Sequence, residues 1–100
     1  MELALQKAGL DPSKIDYINA HGTGTIANDE IESAAIETIF GKNPLVVSTK
    51  AVAGHTLGAC GALEVAICAM SILHSIVPPC VNLKSPVNPD ISHPLTSVKT

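Results

Sequence analysis

The stretch from Leu57 to Leu73 is apolar on every side, and between Ala51 and Leu83 the only charged residue is Glu64. A helix that is hydrophobic all round has to be surrounded, yet a chain of 100 residues has little with which to surround it. A membrane span is the competing reading; the run is short for a bilayer and is interrupted by Gly58, Gly61 and Glu64. Burial inside protein is therefore expected. A carboxylate in such a helix costs several kcal/mol unless a cation or hydrogen-bond donors meet it. Lys50 is the nearest cation in sequence. Either the two form a pair or relay beneath an active site, or Glu64 emerges at a surface or pairs elsewhere; the first is favoured because buried ionisable groups concentrate at functional sites.

The elements leading to this helix alternate. Residues 3 to 8 are helix formers, Gly9 suits a left-handed helix end, and Asp11-Pro12-Ser13 forms a turn. Ile15 to Ala20 has the partial alternation of a short strand, which delivers His21 into the loop His21-Gly22-Thr23-Gly24-Thr25. Asn28 is positioned to cap a helix whose first turn holds Asp29, Glu30 and Glu32. Its apolar face comprises Ile31, Ala35 and Ile39, with Ile36 and Phe40 beside them, and Gly41 stops it. A second β-branched run, Leu45 to Thr49, ends at Lys50 and opens a glycine-containing loop through His55. Beyond Ser75, Pro78, Pro79, Pro86, Pro89 and Pro94 predict an irregular tail with no clear final strand. Strand, histidine loop and helix thus occur twice, which predicts an α/β layered fold with a mostly parallel sheet and the apolar helix packed against or between sheets.

Only 15% of the residues are charged, the net charge is −3, and no Lys/Arg cluster occurs, so nucleic acid and an anionic membrane are excluded as partners. Cys60, Cys68 and Cys80 form no C-x-x-C pair and no zinc spacing with the four histidines. Reduced thiols and an acidic, leaderless N-terminus predict a cytoplasmic protein.

Ligands of α/β sheets collect at the carboxyl ends of strands, so His21 and His55, each following a strand, can converge on one pocket; a lone histidine beside glycine is more often a turn residue, and two in equivalent positions bring the two readings level. His74 suits the negative end of its helix, and His93 lies in the tail. The glycines and threonines of 22 to 25 match neither phosphate-loop motif and more plainly admit a substrate to the backbone. No G-x-S-x-G or Ser/His/Asp order supplies a hydrolase nucleophile. The three cysteines suit packing better than reactivity.

Ile18-Asn19-Ala20-His21-Gly22-Thr23-Gly24-Thr25, Asn28-Asp29 with Glu32, Ser48-Thr49-Lys50, Gly54-His55, Leu57 to Glu64 and Pro78-Pro79, in this order, resemble the β-ketoacyl synthases of fatty-acid and polyketide synthesis. The resemblance implies part, the C-terminal half, of a thiolase-like αβαβα layered fold across residues 1–100, incomplete by itself. It implies decarboxylative Claisen condensation of an acyl-enzyme with malonyl-acyl carrier protein. His21 and His55 would stabilise the enolate, Lys50 and Glu64 would form a supporting charge network that Asp29 and Glu32 join, and Thr23 and Thr25 would bind the phosphopantetheine arm. It implies no metal and no cofactor. The partners implied are acyl carrier protein, the N-terminal half of the synthase and a second subunit, in a homodimer or heterodimer.

The family's nucleophilic cysteine lies in its N-terminal half, and nothing in this chain matches that motif. Cys60 falls where the family often has alanine. The chain alone is therefore expected to be inactive and to be a piece of a larger protein. The alternatives are a non-catalytic synthase-like partner subunit or a remnant; a different thiolase-fold acyltransferase fits the HGTGT and Lys-to-Gly-His spacing less well.

Overall fold

The computed structural model describes residues 1–100. Helix α1 spans Glu2–Ala8 and ends at Gly9, whose φ of 65° is the left-handed conformation expected there. Strand β1, Tyr17–Asn19, is joined by helix α2, Ile26–Phe40, to strand β2, Leu45–Val47. The two strands are parallel, with Tyr17 opposite Leu45 and Asn19 opposite Val47, so α2 is a crossover of a βαβ unit. A single turn of helix, α3 (Lys50–Ala53), and a 3-10 turn, Leu57–Ala59, lead into helix α4, Cys60–His74. Strands β3 (Ile76–Val77) and β4 (Val98–Lys99) then pair antiparallel.

Alternation along the strands divides their side chains between two faces. On one, Ala20, Ile36, Val46 and Ile91 form a small core flanked by Ile18 and Phe40. Ile36 is fully enclosed, but Ile31, expected on the same helix face, is 73% exposed. The inward stripe of α2 instead runs Asp29, Glu32, Ile36 and Phe40, at the three- and four-residue steps that share one helix face. Nor does Asn28 cap this helix. Thr25 holds the cap position without a side-chain bond, and the Asn28 amide, one turn in, donates to Asp29 Oδ1 at 3.0 Å and Glu32 Oε2 at 3.3 Å.

The tail contributes more pairing than its prolines suggest. The Val46 amide donates to the Ser92 carbonyl at 2.9 Å, laying the tail along the free edge of β2, and β4 closes on β3.

Helix α4 forms where expected but is not buried on every side. Cys60 is its only buried residue, while Val65, Ile72 and Leu73 are 70%, 81% and 73% exposed. Two strands of three residues cannot cover a fifteen-residue helix, so the chain leaves α4 with an apolar face open.

Candidate active site

Strands β1 and β2 end side by side and open into the two loops that carry His21 and His55. The imidazole rings meet edge to face, with centroids 5.5 Å apart and planes at 89°. Both side chains lie at the surface of the chain.

The first loop is held from α2. One carboxylate, that of Glu32, accepts the His21 amide at 2.7 Å and the Gly22 amide at 2.8 Å, and Asp29 Oδ1 accepts the Gly24 amide at 3.3 Å. Charge-assisted bonds of this kind are among the stronger ones. Gly22 has φ 39°, and a Cβ there would lie 2.5 Å from Ser48 Cβ, so the crossing of the two loops requires glycine. Ser48 locks that crossing: its hydroxyl donates to the Gly22 carbonyl at 2.8 Å. The Thr23 and Thr25 hydroxyls lie 3.1 Å apart at the outer end of the loop.

The second loop rests on an ion pair. The Lys50 ammonium, on the first residue of α3, meets Glu64 Oε1 in the second turn of α4, with side chains 7% and 22% exposed. The pair inferred from the sequence is therefore formed. Asp29 and Glu32 do not join it; their hydrogen bonds go to the 21–24 loop and to Asn28, so the acidic residues form two separate groups.

The orientation of His55 follows from its neighbours. The Leu57 amide points at His55 Nδ1 from 3.2 Å, and an amide can only donate. Nδ1 is thus the acceptor, and the neutral ring carries its proton on Nε2. Such a ring offers an N–H to an anionic or carbonyl oxygen.

A cleft of about 390 Å³ opens beside these loops. Gly22, Thr23, Lys50 and His55 line one wall, and Cys80 and His93 of the tail line the other. His21 and Thr25 stand outside this lining. His93, left without a role by the sequence, donates from Nδ1 to the Val46 carbonyl at 2.9 Å and pins the tail to β2. On the far face of the sheet, burial, and then the charges of Cys68 and Glu64, push the Tyr17 phenol up to about 12. No group of three His, Cys, Asp or Glu side chains is placed to hold a metal ion.

Read without the resemblance, Asp29 and Glu32 look only like dipole-compatible helix starters; their structural signal is their position on the stripe of Ile36 and Phe40. Ser48 lies at the end of an apolar strand and gains its role only when the two loops cross.

Two histidine loops at the ends of adjacent parallel strands, backed by a part-buried Lys/Glu pair, make up the candidate site. Residues 1–84 match the family "Beta-ketoacyl synthase, C-terminal domain", and the chain belongs to the β-ketoacyl synthase family. It is 47% identical over 89 residues to nodulation protein E of Rhizobium leguminosarum bv. trifolii, covering 86% of this chain and 22% of that protein. It is 46% identical over 89 residues to 3-oxoacyl-[acyl-carrier-protein] synthase 2 of Coxiella burnetii, with the same two coverages of 86% and 22%. Among solved structures, the ishigamide ketosynthase/chain length factor superposes with a TM-score of 0.89 at 41% identity, over 98% of this chain and 25% of that one. The fold is thus part of the thiolase-like α/β fold of ketosynthases, and the chain spans about a fifth of the length of the curated relatives it matches.

Proposed function

We propose that the protein containing this chain carries out decarboxylative Claisen condensation between an acyl-enzyme and a malonyl carrier thioester. The observation that carries this reading is the juxtaposition of His21 and His55, with the Leu57 amide on His55 Nδ1 leaving Nε2 to carry the ring proton. In this role the malonyl thioester oxygen accepts hydrogen bonds from the two imidazoles. The bond between the malonyl α-carbon and its carboxylate breaks, carbon dioxide leaves, and the electron pair is held as an enolate at that oxygen. The enolate carbon then attacks the acyl thioester and expels the cysteine thiolate. That cysteine comes from outside these 100 residues, so the chain alone is inactive.

Lys50 and Glu64 hold the His55 loop against α4, and Glu32 and Asp29 hold the His21 loop against α2. Thr23 on the wall of the cleft, with the Thr25 hydroxyl 3.1 Å from its own, binds the pantetheine arm. The chemistry as written uses no metal or redox cofactor. Acyl carrier protein is the substrate carrier, as the name of the Coxiella burnetii relative suggests, and a second synthase subunit, identical or homologous, completes the assembly. The open face of α4 supports a larger fold: in this reading it is an interior helix covered by the remaining layers, which also accounts for a Leu57–His74 segment with the composition of a membrane span.

The test uses the full-length protein with acyl and malonyl carrier thioesters. Mass spectrometry should show acyl-enzyme and β-ketoacyl product for the wild type. His55→Ala should still acylate but form no condensation product. A full-length wild type that never forms the product would refute the reading.

A further inference from the structure

Cys60 is buried at the head of α4, and its Sγ lies 3.1 Å from His55 Nδ1 and 3.4 Å from Thr56 Oγ1. The direction of these contacts is determined. Because the Leu57 amide already donates to Nδ1, that nitrogen carries no proton, and the sulfur facing it has to bring one. Thr56 O–H therefore donates to the sulfur, and Cys60 S–H donates to Nδ1.

We infer that Cys60 is a positioning residue for His55: its thiol is a second donor to Nδ1, which reinforces the tautomer set by the Leu57 amide and keeps the ring aimed at the substrate oxygen. Cys60 does not line the cleft, so it acts through the imidazole and touches no substrate. A reactive-thiol role is disfavoured by the same burial. The Leu57 amide also donates to Nδ1, so removal of the thiol leaves one donor in place and should have a modest effect. The inference rests on the condensing reading.

The test compares full-length wild type, Cys60→Ala and Cys60→Ser, with histidine-selective nitrogen-15 labelling and assays of malonyl decarboxylation and of enzyme acylation. Losing one weak neutral donor should lower kcat for decarboxylation about three- to tenfold in Cys60→Ala. KM and the acylation rate should not change. The Leu57 amide remains, so the ring proton stays on Nε2, but the His55 Nδ1 shift should move as that nitrogen loses its second donor, and Cys60→Ser, which restores a donor, should recover both readouts. If wild type decarboxylates malonyl thioester while Cys60→Ala matches it in kcat and in the His55 Nδ1 shift, the inference is overturned. So is it if serine restores neither. If the wild type itself releases no carbon dioxide, the condensing reading fails, which the Nδ1 shift measurement distinguishes from failure of the Cys60–His55 contact.

Discussion

His55 stands edge-on to His21, ring centroids 5.5 Å apart, although the two reach that point from different loops. Each loop is fixed from behind by a carboxylate: Glu32 on α2 for the first and Glu64 on α4 for the second. The geometry at the ring pair therefore depends on groups that touch no substrate, and these give the first predictions.

Glu64→Leu should destabilise the protein by about 3 kcal/mol, because it leaves the Lys50 ammonium buried without a counter-charge. Lys50→Met combined with Glu64→Leu should recover most of that stability, since replacing both partners of a buried pair with apolar groups is often neutral. Activity should stay low in both, because the His55 loop loses its anchor. Chemical denaturation with an activity assay decides it; equal stability of Glu64→Leu and wild type would show that the pair contributes nothing.

Glu32→Ala removes the acceptor of two consecutive backbone amides and should cost about 2 kcal/mol. Its distinguishing signature is local. Hydrogen exchange at the His21 and Gly22 amides should accelerate well beyond that at β2, while unchanged protection of those two amides would show that the carboxylate does not hold the loop.

The phenol of Tyr17, pushed up from 10.0 to about 12 by burial, should make stability fall at alkaline pH. Between these two values the unfolded chain loses the phenolic proton while the folded chain keeps it, so the unfolded state binds fewer protons and folding weakens as pH rises. Below pH 10 the contribution is constant. Wild type and Tyr17→Phe should therefore diverge only above about pH 10 in thermal melts, with Tyr17→Phe losing less. Parallel curves would mean that the phenol is not buried.

The sequence exposed the parts of this arrangement that depend on local pattern. Two β-branched runs ending in histidine loops revealed the parallel pair, and the lone carboxylate in an apolar helix revealed the Lys50–Glu64 pair, because a charge in such surroundings demands a partner. What it concealed depends on how distant segments cross. The Gly22–Ser48 crossing and the pairing of the tail with β2 arise only once loops far apart in sequence are brought together, and the Cys60–His55 contact, five residues apart, arises only when the histidine loop folds back on the head of α4. The exposure of Ile31 and of one face of α4 has a different cause: apolar periodicity marks a face that can be buried, and this chain supplies too little sheet to bury it.

The most direct measurement is the release of labelled carbon dioxide from carboxyl-labelled malonyl carrier thioester by the full-length protein and its His21→Ala, His55→Ala and double variants. Each single variant should slow release about a hundredfold or more, as expected for losing one donor to a developing oxyanion. The double variant should be little slower than either, because the two rings act as one unit. Release at the wild-type rate from His55→Ala would contradict the assignment of the histidine pair.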